Sequence, residues 1–408
     1  MLFKSAPLPL RAASLATLVV LTALTGVTPL SIDMPLPALP GLAAALDAAP
    51  SQAQLMVGVF LSGFAVAQLL AGPISDRFGR RPMLLIGLAC YLGCSIACAL
   101  ATSLEALLII RLFQGVFACT APVVARAIVT DVHEGPAAQR AMSIVTAGMG
   151  FAPVLAPSIG AGVLEFTDWR GIFWTLAVTA GLLLTVVAVS LPETRQASAG
   201  GMSLRVGALV ARYLSILKDG RFLHYALPSL FAGGALFTFL SAATFVLQDD
   251  LGVSTRGFGL MFGGVMIGFV SGASLSGVFS PRFGLDRSIL IGIVMSVIGG
   301  CAMFALWLGD VRHWAAIIVP MGVVMFGMGI LRPNSIAGAM LPFRATGGAA
   351  SALIGFLQMA AGATAGLFLL VLPYPPRDTM PVLVAIYPSI SLLVFALMRA
   401  SPNAKPDE

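Results

Sequence analysis

Apolar residues run through this chain in long unbroken blocks separated by short polar links, with no strand-like alternation. A helix needs about 20 mostly apolar residues to cross a bilayer. Twelve blocks reach roughly that length, at about 12–34, 52–74, 83–101, 104–129, 141–163, 171–191, 222–247, 257–279, 288–308, 314–337, 346–372 and 380–398. In hydrocarbon each block must satisfy its own backbone hydrogen bonds, so each is expected to be a helix. The longest polar stretch falls between the sixth and seventh blocks. It sets a division into 1–191, a cytoplasmic linker 192–221, and 222–408. The expected fold is an all-α membrane protein of twelve transmembrane helices in two six-helix bundles.

Composition supports the bilayer as the solvent. Of 408 residues 58% are hydrophobic and only 10% charged, against about 25% charged in soluble proteins; the mean hydropathy is +0.98. The net charge of +6 is modest. No basic patch is interleaved with aromatics, which argues against a nucleic-acid partner. The apolar run near the N-terminus exceeds the 7–15 residues of a signal-peptide core and reads as a retained first span, held inside by Lys4 and Arg11.

Charge then orients the chain. With the N-terminus inside, Arg170, Arg256, Arg312 and Arg377 fall outside and Arg111 within a span. The other 18 of the 23 basic residues, Arg195, Arg205, Arg332, Arg344 and Lys405 among them, fall at cytoplasmic ends. Both termini are expected in the cytoplasm. Trp169, Trp307 and Trp314 then mark the outer interface, where amphipathic rings prefer to sit.

Several features suggest chemistry but are explained by packing. Cys90, Cys94 and Cys98 share a helix face without a nearby His or acid, whereas zinc sites usually gather ligands from several elements. No metal or cofactor is expected. His133, His224 and His313 fall at span ends. Gly264, Gly268 and Gly272 recur every fourth residue, a spacing that lets helices approach closely, as do Gly362 and Gly366.

The link after the second block reads Gly72-Pro73-Ile74-Ser75-Asp76-Arg77-Phe78-Gly79-Arg80-Arg81. It returns 205 positions later, where Gly277, Ser280, Arg282, Phe283 and Gly284 repeat it and Pro281 replaces the acid. The chain is therefore two related halves. A plain topogenic loop explains the arginines but not Asp76 or the glycines. A carboxylate here can cap a helix or pair a neighbouring arginine, and so act as a latch. The second copy lacks the acid, so one such latch is expected.

Charge at membrane depth costs about 2.5–3.5 kcal/mol even on the lenient scale. Asp33 closes the first span in Ser31-Ile32-Asp33-Met34-Pro35. It is either a hydrated acid at the outer interface or a carboxylate in a partly dry cavity, where the protonated form is favoured. Arg111 lies within the fourth span, in Arg111-Leu112-Phe113-Gln114-Gly115. It must pair, face water, or snorkel to the headgroups. An arginine close to Asp33 would bias that carboxylate toward ionisation, a second expectation of the sequence. Span five carries Gly148, Gly150, Pro153, Pro157, Gly160 and Gly162 and is expected to be bent and smooth.

These motifs together resemble the major facilitator superfamily. The 72–81 link resembles its motif A, which implies that Gly72, Asp76, Arg77, Gly79, Arg80 and Arg81 form a conformational latch. Arg111-x-x-Gln114-Gly115 resembles motif B, which implies that Arg111 takes part in proton coupling. Gly148 to Gly162 resembles motif C of exporters, with Ala156 and Ala161 in place of two glycines. Asp33-Met34-x-Leu36-Pro37-Ala38, Asp168-Trp169-Arg170 and Leu191-Pro192-Glu193-Thr194 resemble the Bcr/CflA branch of drug:proton antiporters. The resemblance covers nearly the whole chain. It implies a monomeric, non-enzymatic exporter in the bacterial inner membrane, taking small lipophilic drugs against protons. Asp33 and Arg111 would couple the protons, and Gln114, Asn334 and Gln358 would offer polar contacts in a mostly apolar cavity. An exporter of a small metabolite (a sugar, nucleoside or amino-acid derivative) and an uptake symporter remain alternatives. A membrane enzyme lacks any catalytic cluster, and no Gly-x-x-x-x-Gly-Lys-Ser/Thr loop suggests ATP drive.

Overall fold

The computed structural model describes residues 14–194, 206–372 and 374–399. Lys4, Arg11, Arg195, Arg205 and Lys405, which bear on the expected orientation, lie outside the described residues. Helix α1 (Leu15–Asp33) is followed by a 3-10 turn at Leu36–Ala38 and by α2 (Leu39–Ala45). Next come α3 (Pro50–Phe78), α4 (Arg80–Ala99), α5 (Leu104–Ala118), α6 (Thr120–Val132), α7 (Gly135–Leu164) and α8 (Trp169–Ser190). A short helix, α9 (Val206–Leu217), occupies part of the expected linker. The remaining helices are α10 (Gly220–Thr244), α11 (Thr255–Phe283), α12 (Leu285–Leu308), α13 (Ala315–Met340), α14 (Gly347–Val371) and α15 (Pro376–Arg399). Among the described residues twelve segments are long and apolar enough to cross a membrane. Helices α5 and α6 abut at Cys119 and form one of them; α10 is lengthened by a π-helical turn at Phe245–Asp250.

Side-chain caps set several helix starts, as expected where the first N–H groups lack intrahelical partners. Ser103 accepts from Ala106 N at 3.2 Å, and Asp219 from Arg221 N and Phe222 N at 2.9 Å. Asp168, of the Asp168-Trp169-Arg170 fragment, accepts from Arg170 N at 3.0 Å.

The first span differs from its expected extent. The sequence pattern ends it at about residue 34, but the apolar segment runs from Leu15 to Ala45. Pro35 and Pro37 lack the N–H that would continue α1, so the helix gives way to the 3-10 turn; residues 31–39 stay buried throughout. Asp33 therefore lies inside a buried stretch rather than at a hydrated helix end.

The chain divides into two compact units: the described residues of Met1–Ala38 and Val59–Arg205, and those of Leu39–Gly58 and Val206–Glu408. Each contains the same backbone crossing. In the first, a Cβ on Gly63 would overlap the carbonyl oxygen of Leu112, and one on Gly115 would overlap that of Phe60. In the second, Gly272 stands in that relation to Phe326, and Gly329 to Phe269. The pairs 60/63 with 112/115 and 269/272 with 326/329 share one register, so the internal repeat extends from sequence to packing. The glycine stripe in α11 is only partly used: Gly268 abuts the Gly322 carbonyl, whereas Gly264 meets nothing within 4 Å. Gly115→Val is therefore expected to destabilise the protein, overpacking typically costing about 1–3 kcal/mol, while Gly264→Ala stays near neutral. Thermal unfolding in detergent checks this; equal shifts for the two would show that the crossing is not tight.

The expected ten-residue basic turn is also revised. Helix α3 remains helical through Pro73 and Asp76 to Phe78, and the break is the single residue Gly79. Its φ is 101°, and at the repeated position Gly284 has φ 79°. L side chains rarely adopt that backbone region, which accounts for glycine in both copies.

Candidate functional site

Arg111 sits in the interior of the first unit with 0% of its surface exposed. Its Nη1 donates to Gln114 Oε1 at 2.8 Å and its Nη2 to the Ser31 carbonyl at 3.0 Å. The guanidinium lies 4.3 Å from the Phe60 ring centroid and 5.9 Å from that of Phe173. A hydrogen-bonded shell fixes it further: Gln114 Nε2 donates to Ser95 Oγ at 2.8 Å, and Ser31 Oγ and Tyr91 Oη share a 2.5 Å hydrogen bond. Arg111 thus does not snorkel. Tyr91, Ser95 and Ser31 carry no signal in the sequence beyond being polar residues in apolar blocks.

Asp33 is 4% exposed. The expected direct contact between Asp33 and Arg111 is absent: among the described residues no ion pair within 4 Å joins them. The arginine instead holds the backbone two residues before the acid, since Ser31 O accepts from it. Helix α7 packs on the same segment. A Cβ on Gly160 would overlap the Met34 carbonyl, and one on Gly148 would overlap the Thr22 side chain. Pro153 and Pro157 lie within a helix that runs unbroken from Gly135 to Leu164. Gly148 and Gly160 of the motif C stretch therefore seat α7 on α1 and on the residue after it, Gly160 beside Asp33.

Around Gly79, Arg80 gathers two acids. Its Nη1 donates to Asp76 Oδ1 at 2.6 Å and its Nε to Asp131 Oδ2 at 2.9 Å. Glu193 caps the new helix by accepting from Arg80 N at 2.9 Å and Arg81 N at 3.1 Å, and Arg81 Nη2 donates to the Ala188 carbonyl at 2.6 Å. Arg77 lies 5.5 Å from the centroid of the neighbouring Phe78 ring, and a Cβ on Gly72 would meet nothing within 4 Å. Asp76 thus pairs across the break, while the capping acid is Glu193. Asp131 and Glu193 stand about 50 and 110 residues downstream in the chain, a separation that hides the partnership from any local motif.

The second unit has a polar cluster where none is expected. Asp286, just after Gly284, lies 3.7 Å from His224 Nε2. His224 is 2% exposed and its ring packs against Tyr225 and Phe395. His224 lies at a span end, near the start of α10, as expected, and is buried there. Among the described residues no three His, Cys, Asp or Glu gather to hold a metal.

The three polar residues expected in a cavity are tied into their own units. Asn334 Nδ2 donates to Ser276 Oγ at 2.9 Å and the Ile330 carbonyl at 2.8 Å, and its Oδ1 accepts from Ser280. Gln358 accepts from Arg332 and donates to Ser229 Oγ at 3.0 Å. Gln114 is placed above.

The twelve apolar spans among the described residues define a multi-pass membrane protein. Residues 21–367 match the Major Facilitator Superfamily, and the chain belongs to that family. It is a transport protein and not an enzyme. It is 32% identical over 351 residues to an uncharacterized MFS-type transporter of Bacillus subtilis, covering 86% of each chain. It is 28% identical to the bicyclomycin resistance protein homolog of Haemophilus influenzae, covering 83% of this chain and 84% of that one. Its identity to multidrug resistance protein D of Escherichia coli is also 28%, over 84% and 85%. In fold it resembles a bacterial homolog of the human lysosomal transporter Spinster, with a TM-score of 0.76 at 14% identity, covering 96% of this chain and 98% of that one.

Proposed function

We propose that the protein is a proton-driven antiporter that exports small, mostly lipophilic drugs, chloramphenicol- or bicyclomycin-like, by alternating access. It works as a monomer in the lipid of the bacterial inner membrane, with both termini cytoplasmic. The observation that carries the reading is Asp33, the only acid between Leu15 and Ala45, buried in the apolar interior of the first unit. A carboxylate kept there at a cost of about 2.5–3.5 kcal/mol calls for a purpose, and reversible protonation supplies one. The relatives named for bicyclomycin and multidrug resistance support drugs as the cargo. The energetics agree. One charge crossing 100 mV gives about 2.3 kcal/mol and one pH unit about 1.4 kcal/mol. Together they sustain roughly a 500-fold substrate gradient per proton.

The mechanism follows from what each group can do. Asp33 takes and gives the proton. Arg111, held by Gln114 and the Ser31 carbonyl, fixes the turn that carries it. The Asp76–Arg80–Asp131 cluster ties α3, α4 and α6 together and acts as the conformational latch.

Expression in a pump-deficient host should lower susceptibility to chloramphenicol or bicyclomycin. Unchanged susceptibility to a broad drug panel, with counterflow of a sugar, nucleoside or amino-acid derivative, would favour the metabolite exporter. Asp76→Asn is expected to change turnover about 10-fold, one charge-assisted hydrogen bond being worth about 1.5–3 kcal/mol, with substrate Kd nearly unchanged. A large loss of equilibrium binding at unchanged turnover would contradict the latch.

A further inference from the structure

Arg332 counts in the sequence as one more basic residue at a cytoplasmic end, yet it lies within the span Ala315–Phe343. At 1.5 Å per residue it stands about 12 Å before the end of α13 at Met340. Its Nε and Nη2 donate to a single oxygen, Gln358 Oε1, at 3.2 and 2.9 Å. Gln358 Nε2 in turn donates to Ser229 Oγ at 3.0 Å, which turns the amide oxygen toward the arginine. The first unit holds Arg111 by the same chain of groups: arginine to Gln114 Oε1, and Gln114 Nε2 to Ser95 Oγ.

The two clamps differ in what they leave open. Arg111 has a backbone carbonyl and an aromatic face as further partners and is sealed from its surroundings. Arg332 is half-buried, and among the described residues no carboxylate lies within 4 Å of it. A guanidinium has five N–H donors and keeps its charge; two of the five are used, both on a neutral acceptor. A fixed cation held at membrane depth without a counter-ion is costly. Gln358 and Ser229, at 7% and 2% exposed, place the clamp inside the second unit rather than at its rim, which favours a small solute over a lipid headgroup. The planar fork of free donors matches a carboxylate.

We propose that Arg332, oriented by Gln358 and Ser229, is an anion subsite that binds the carboxylate of an amphipathic substrate. The inference rests on the export reading and adds a substrate class to it: acids beside neutral drugs.

The test uses the full chain in phosphatidylcholine nanodiscs and two probes of one shape, 1-naphthoate and its neutral amide, with Kd by equilibrium dialysis. Wild type should bind the naphthoate more tightly. Arg332→Gln should weaken naphthoate about 10- to 100-fold, as losing a charge-assisted pair implies, and leave the amide within about 2-fold. Arg332→Lys keeps the charge without the fork and should fall between, which also guards against misfolding of the glutamine variant. Equal affinity for the probes, binding of neither, or a parallel loss of both in Arg332→Gln overturns the subsite. Strong competition by added phosphatidylglycerol overturns the small-solute source and assigns the clamp to lipid. Chloramphenicol export by wild type is read separately, so failure of the export reading is distinguishable from failure of the subsite.

Discussion

Asp33→Asn is expected to abolish substrate-driven proton release while leaving the protein folded and able to bind drug. Asparagine keeps the shape and polarity of the side chain but cannot exchange a proton near neutral pH. Because Asp33 is buried between Ile32 and Met34, with Gly160 of α7 against the next carbonyl, the substitution is nearly isosteric and should preserve that packing. The paired measurements are drug binding in detergent and proton release on drug addition at low buffer strength. Unchanged binding with no proton release is the expected result; full drug/proton exchange in the variant removes Asp33 from the mechanism.

Arg111→Ala is expected to have the second largest effect, acting on coupling and on stability together. It deletes hydrogen bonds to Gln114 and Ser31 from a charged donor, each worth about 1.5–3 kcal/mol. It also leaves a void beside Phe60 and Phe173. Arg111→Lys keeps the charge but cannot span both acceptors with a planar fork, so it should retain part of the coupling. The check is drug-driven proton release as a function of pH, set beside the thermal midpoint of each variant. If Arg111→Ala is destabilised but shows the wild-type coupling profile, the arginine is a packing group and no more.

The twelve spans and the six-plus-six arrangement were legible because the bilayer imposes a length and a composition that soluble packing does not. The repeat of Gly79 at Gly284 was legible because a positive φ demands glycine at both breaks. What escaped notice depended on contacts distant in sequence. Asp131 of α6 and Glu193, just after the end of α8, complete the Arg80 cluster, and no local pattern announces a carboxylate's partner. The apolar pattern ended the first span at about residue 34, but the apolar segment runs on to Ala45 and residues 31–39 are buried, which changes the surroundings of Asp33. Arg332 was hidden by its count as a topogenic charge, since only its hydrogen bond to Gln358 distinguishes it. The enclosure of His224 was not legible because Asp286 and Phe395, which surround it, come from other helices.

The central claim, that drug export is exchanged for protons through Asp33, is tested most directly in proteoliposomes with a chloramphenicol gradient and no imposed pH difference. Wild-type protein should move protons against the direction of drug flow, recorded by a trapped pH dye, and Asp33→Asn should not. Drug flow without proton movement, or protons travelling with the drug, would contradict it.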